Sequence, residues 1–195
     1  MGYFKWKLFL LFTITFITAQ NKQSTHQIQA EYYKNTTTPP VDKITVLTGL
    51  DVLLEKKIDL ITGKIIALVT NQTGIDRYGI PNYKRLLALD DVHLKVVFSP
   101  EHGLFGEADE EITYNKKIAD IPRVISLYGS IRKPTPEMLQ GVDLIIYDIQ
   151  DIGARFYTYI STLGLVMEAA GDLQIPVLVL DRPNPIRSDI VEGPL

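Results

Sequence analysis

Four apolar runs, each closed by a cluster of polar residues, constrain this chain more than any other feature. Ile65-Ile66-Ala67-Leu68-Val69 leads into Thr70-Asn71-Gln72-Thr73-Gly74, and Leu94-Lys95-Val96-Val97-Phe98 into Ser99-Pro100-Glu101-His102-Gly103. Leu144-Ile145-Ile146-Tyr147 ends at Asp148, and Val177-Leu178-Val179-Leu180 at Asp181-Arg182-Pro183. Continuous apolar runs of this length suit strands buried on both faces. A further strand is expected near Arg123 to Tyr128. Between the runs lie helical patterns: Leu47 to Leu60, Tyr83 to Leu89, and a short helix from Pro136 carrying Glu137, with Thr135 as its cap. Thr158 to Leu173 places Leu163, Val166, Met167 and Ala170 on one helical face. Strand and helix alternating through short connections predict an α/β fold with a doubly wound, mostly parallel sheet.

That topology has a functional consequence. In open parallel sheets, ligands sit beyond the carboxyl ends of the strands. The polar clusters all follow apolar runs, so they should converge on one sheet edge. The candidate site residues are therefore Asn71, Glu101, His102, Asp148, Gln150, Asp151, Arg155, Asp181 and Arg182.

Composition narrows the chemistry. The 195 residues suit one α/β domain plus some tail. A formal net charge of -3 leaves no basic footprint for nucleic acid. With no cysteine, the chain has no disulfide, thiolate metal site or cysteine nucleophile, and no attachment point for a lipoprotein-type lipid anchor. The three histidines, His26, His93 and His102, have no metal-binding spacing, so no metal or other cofactor is expected. Dinucleotide, phosphate-loop and nucleophile-elbow glycine motifs are missing too.

The first nineteen residues read as a secretory signal peptide. Lys5 and Lys7 form a charged start, Leu8 to Ala19 an apolar run of twelve, and cleavage after Ala19 leaves Gln20 first. Residues 20–43 read as a flexible polar linker with Pro39-Pro40, and residues 44–195 as the working domain. The expected location is extracytoplasmic, in the periplasm or secreted.

Glu101 follows a buried strand and lies between Phe98 and Phe105. A carboxyl shielded from water keeps its proton more readily, as a general acid must. The structural alternative, a carboxylate bonded to a helix end or an arginine, has equal weight from chemistry alone. His102 is a metal ligand, a proton carrier or an orienter of Glu101, against the commoner role of a satisfied structural histidine. Asp148 or Asp151 would supply the second carboxylate of a glycosidase pair, about 5–5.5 Å away for retention or about 6.5–9.5 Å for inversion. Alternatively, Asp151 caps a helix or pairs with Arg155. Arg155 or Arg182 would grip a carboxylate as a fork, unless either is held in an ion pair with Asp148 or Asp181. Tyr128, Tyr157 and Tyr159 offer sugar-stacking faces or, more ordinarily, core.

Several of these stretches together resemble a known family. They are Thr48-Gly49-Leu50-Asp51, Leu68 to Gly74, Phe98 to Gly106, Ser126-Leu127-Tyr128-Gly129, Tyr147 to Tyr159, Leu180 to Pro185 and Glu192-Gly193-Pro194-Leu195. They resemble the exo-β-N-acetylmuramidases called NamZ, over roughly residues 44–195. The resemblance implies a Rossmann-like catalytic domain and a smaller C-terminal domain, of which residues 44–195 are expected to hold only the first. It implies release of terminal, non-reducing N-acetylmuramic acid from peptidoglycan-derived muropeptides or the MurNAc-GlcNAc disaccharide. It also implies that Glu101 is catalytic, with His102, Asp148, Asp151 and Arg155 lining the site. Two other functions fit the same residues: a muropeptide- or glycan-binding module that does not cleave, and another cell-wall hydrolase such as an amidase.

Overall fold

The computed structural model describes residues 46–106, 121–187 and 189–193. The expected signal peptide and linker lie outside the described residues. Five strands form one parallel sheet: β1 (Ile65–Thr70), β2 (His93–Ser99), β3 (Arg123–Ser126), β4 (Leu144–Asp148) and β5 (Val177–Val179). Their spatial order is β3-β2-β1-β4-β5. The helices are α1 (Gly49–Lys56), α2 (Asn82–Leu87), α3 (Pro136–Leu139) and α4 (Tyr159–Asp172), with a 3₁₀ turn at Ile58–Leu60.

Alternation along the strands divides the core in two. Ile66 and Leu68 of β1 pack with Leu50 and Leu53 of α1 and Tyr83 and Leu86 of α2. Ala67 and Val69 face the other way, with Leu139 of α3 and Val166, Ala169 and Ala170 of α4. The sheet is therefore covered on both sides, the doubly wound α/β arrangement expected from uninterrupted apolar strands. Phe98 is fully buried at the end of β2; truncating such a side chain to alanine costs about 3–5 kcal/mol.

Two helices differ from their sequence patterns. The Leu47 to Leu60 pattern breaks at Lys57, whose φ of -137° is not helical, and a 3₁₀ turn follows. Ile58 consequently faces solvent while Ile61 is buried. In α4, Met167 is 53% exposed, and Tyr159, Val166, Ala169 and Ala170 form the buried stripe. These positions keep the 3.6-residue period, and Met167 lies one residue, about 100°, round the helix from Val166. Thr135 occupies the cap position of α3 without capping it; its side chain bonds Glu137, whose carboxyl it holds below its ordinary pKa.

From β1 the chain runs outward to β2 and β3, then returns to β4 on the other side of β1. The carboxyl ends of β1 and β4, where Thr70 pairs with Asp148, form the point at which strand order reverses. That is where ligands gather in such sheets.

Candidate functional site

The reversal point itself is filled by side chains. The Asp148 carboxylate is fully buried. It accepts from Arg182 Nε at 2.6 Å and a terminal guanidinium nitrogen at 2.9 Å, and from Asn82 Nδ2 at 2.7 Å. Arg182 also reaches the Ile75 carbonyl at 3.1 Å. Asn82 Nδ2 donates to Thr70 Oγ1, which donates to the Asp148 carbonyl at 2.8 Å. Gly74 belongs to this plug, since a Cβ there would collide with Thr70 Oγ1 and Asn82 Nδ2. Asp148 and Arg182, both expected to line a ligand site, satisfy each other, so the Arg182 fork is closed to a ligand carboxylate. Asn82 is a partner that sequence reading missed, because a polar residue opening a short helix carries no signal of a target 66 residues away.

Beside the plug runs a second chain of hydrogen bonds. Gln150 N–H donates to Thr73 Oγ1 at 2.8 Å, and Thr73 Oγ1 and N–H both donate to Asn71 Oδ1. With Oδ1 occupied, the amide has one orientation, and its buried Nδ2 lacks a hydrogen bond of normal geometry. That nitrogen lies on the Tyr159 side of the sheet. The Gln150 side chain donates to the Asp151 and Pro183 carbonyls at 2.8 and 2.9 Å, tying the loop after β4 to the loop after β5.

Glu101 stands in the turn that ends β2. Gly103 N–H closes this turn onto the Pro100 carbonyl at 3.1 Å, with His102 at φ +68° in its third position. Positive φ there favours glycine or asparagine, so histidine is held in a costly conformation. Glu101 is half-buried, and its Oε2 accepts from Thr158 Oγ1 at 3.0 Å. The next residue, Tyr159, is buried, and its phenol gathers the site electrostatically. Burial raises its pKa, the adjacent Asn71 amide opposes that rise, and the negative charges of Glu101 and Asp151 and the Tyr157 phenol add to it. Tyr147 is also raised, first by burial and then by Asp151 and Tyr159. Its hydroxyl donates to the Tyr159 carbonyl at 2.8 Å. Both phenols therefore hold their protons at neutral pH. Asp151 accepts from Gly153 N–H at 2.8 Å in a tight turn, and α4 begins several residues later, so Asp151 caps no helix.

Asn71, Glu101, Asp151 and Tyr159 thus share one neighbourhood at the carboxyl edge, with His102 in the Glu101 turn. Exposed Phe156 and Tyr157 border it, their ring centroids 5.2 Å apart. Arg155 is exposed in the same loop. Asp181 stands elsewhere: its carbonyl accepts from Gly49 N–H at 2.6 Å, and it lines a largely apolar groove between α1 and β5. That edge is three strands from β2. Thr158 and Phe156 are additions to the expected set; both lie in the Asp148 to Tyr159 run that the resemblance had already marked. Among the described residues, no group of three His, Asp or Glu side chains could hold a metal ion.

Comparisons with known proteins agree with this architecture. The family model described as exo-beta-N-acetylmuramidase NamZ, N-terminal, matches residues 66–195. The peptidoglycan beta-N-acetylmuramidase NamZ of Bacillus subtilis (strain 168) is 45% identical over 156 residues, covering 78% of this chain and 37% of that protein. A DUF1343 family protein of Bacteroides fragilis NCTC 9343, solved at 1.65 Å, superposes with a TM-score of 0.71 at 43% identity, over 77% of this chain and 38% of the other. A second from the same organism, solved at 1.30 Å, gives 0.57 at 31% identity, over 71% and 35%. The chain spans less than two-fifths of the length of each of these relatives.

Proposed function

Because this chain belongs to the NamZ exo-β-N-acetylmuramidase family, matching its N-terminal region, we propose that it serves a glycoside hydrolase releasing terminal, non-reducing N-acetylmuramic acid. The substrates are peptidoglycan-derived muropeptides or the MurNAc-GlcNAc disaccharide. Glu101 is the general acid, donating its proton to the departing glycosidic oxygen. The observation that carries this reading is the setting of Glu101. It sits at the carboxyl end of an inner strand, its Oε2 met by the Thr158 hydroxyl at 3.0 Å, with its carboxyl near enough to act on the buried Tyr159 phenol.

The remaining roles follow from where each group lies in the fold. Asp148 is neutralised by Arg182, so Asp151 is the second carboxylate. Phe156 and Tyr157 present rings to the hydrophobic face of a sugar. Asn71 offers a fixed amide donor, and His102 shapes the Glu101 turn. Gln150 braces the loops around them, and Arg155, in the exposed loop, is the remaining candidate for the lactyl carboxylate. The apolar stretch Leu8 to Ala19 supports an extracytoplasmic location, where cell-wall fragments arise.

The test is release of free N-acetylmuramic acid from MurNAc-GlcNAc by the chain and by Glu101→Gln, an isosteric change that removes the transferable proton. The expected fall is about 10²- to 10⁴-fold. Full activity in Glu101→Gln rejects Glu101 as the acid. Saturable binding without turnover by the unsubstituted chain points instead to a glycan-binding module, and cleavage of the stem peptide to an amidase.

A further inference from the structure

We propose that Thr158 is a positioning residue for Glu101, holding Oε2 so that Oε1 is the oxygen that delivers the proton. This rests on Glu101 being the acid. Thr158 occupies the position just before α4, where a threonine side chain ordinarily accepts from the N–H groups of the first helical turn. Here it makes no such bond, and its backbone is at φ -89°, ψ -6° rather than extended. The hydroxyl instead donates to Glu101 Oε2 at 3.0 Å, across 57 residues of sequence. The helix forgoes its cap, and the hydroxyl serves the loop after β2.

The hydroxyl is also held on a rigid frame. The Thr158 carbonyl accepts from Thr162 N–H at 3.0 Å in the first turn of α4. The adjacent Tyr159 is buried and anchored to β4 through Tyr147 Oη. A functional group placed on such an element keeps its geometry better than one on a free loop.

The chemistry gives this contact a kinetic role. In the reaction, the Glu101 proton passes from Oε1 to the glycosidic oxygen. The bond from that oxygen to C1 breaks, with its electron pair remaining on oxygen. Water then adds its hydroxyl to C1 and its other proton is returned to Glu101. As Oε1 loses its proton, charge develops on the carboxylate, and the Thr158 hydrogen bond to Oε2 becomes charge-assisted and stronger. The amino end of the 14-residue α4 favours the same charge. An interaction that strengthens toward the transition state appears in kcat and leaves KM unchanged.

The experiment compares Thr158→Val and Thr158→Ser on two substrates. One is MurNAc-GlcNAc, whose leaving alcohol must be protonated; the other is a 2,4-dinitrophenyl N-acetylmuraminide, whose leaving group needs no proton. Thr158→Val is expected to lower kcat on the disaccharide about five- to tenfold with KM unchanged. It should leave the dinitrophenyl reaction within about twofold, and Thr158→Ser should restore disaccharide turnover. Equal loss on both substrates, unchanged disaccharide kcat, or failure of serine to rescue overturns the proposal. If Glu101→Gln is inactive on the disaccharide while Thr158→Val is unaffected, this inference alone falls. If Glu101→Gln is fully active, or the unsubstituted chain turns over neither substrate, the functional reading falls and this inference with it.

Discussion

Arg182 lays its guanidinium across the Asp148 carboxylate with two hydrogen bonds, at 2.6 and 2.9 Å, and both side chains are almost wholly buried. The pair joins the end of β4 to the loop after β5, and with Asn82 and Thr70 it seals the point where strand order reverses. Removing one partner of such a pair strands a charge away from water. Arg182→Met is therefore expected to destabilise the fold by about 3–5 kcal/mol, read as a lower denaturant midpoint at unchanged slope. A loss under 1 kcal/mol would contradict the structural role assigned to the pair.

His102 stores backbone strain beside Glu101. Its φ of +68° suits glycine far better than histidine. His102→Gly is expected to hold stability level or raise it by up to about 1 kcal/mol, because relief of strain offsets the greater freedom of glycine when unfolded. Glycosidase turnover should fall at the same time. Thermal unfolding and kinetics on the same variant check both halves, and a marked drop in stability would show that the imidazole contacts matter more than the strain.

Asp51 ties the start of α1 to the loop after β1. Its Oδ2 accepts from the Thr48 N–H and hydroxyl, and its Oδ1 from Arg77 N–H at 3.0 Å. Burial pushes its pKa up, but these hydrogen bonds and the Arg77 charge outweigh burial and bring it below the ordinary 3.8. A carboxyl depressed on folding adds stability above its unfolded pKa and loses it as pH falls through the folded value. Asp51→Asn is expected to cost about 1 kcal/mol at pH 7. That difference should hold down to about pH 5, shrink as acidification passes 3.8 and vanish below the lowered value. Denaturation midpoints of both proteins at pH 7, 5, 3.5 and 2 test this; a gap that widens in acid would reverse the sign.

The parallel sheet was legible in the residues because its cause is local. A strand covered on both faces must be apolar at every position, and Ile65 to Val69 and Leu144 to Tyr147 meet that demand without reference to the rest of the chain. The placing of Glu101, Asn71 and Asp151 on one edge follows from the same rule, since every parallel strand ends on the same side.

Which polar groups meet was not legible, because hydrogen-bond partners are chosen by packing across long sequence distances. Asp148 and Asp151 look equivalent as sequence, yet one is neutralised by Arg182 and the other shares a neighbourhood with Tyr159. Thr158 reads only as the start of a helical pattern, and packing of α4 against the sheet carries its hydroxyl to Glu101. The order of strands, and with it the distance of Asp181 from β2, likewise emerges once the helices dock. Short-range patterning set the elements and the edge on which the polar clusters lie. Docking divided those clusters into a buried ion-pair plug and a separate group around Glu101, Asp151 and Tyr159, since a charge taken from water needs a partner that only the assembled fold can bring to it.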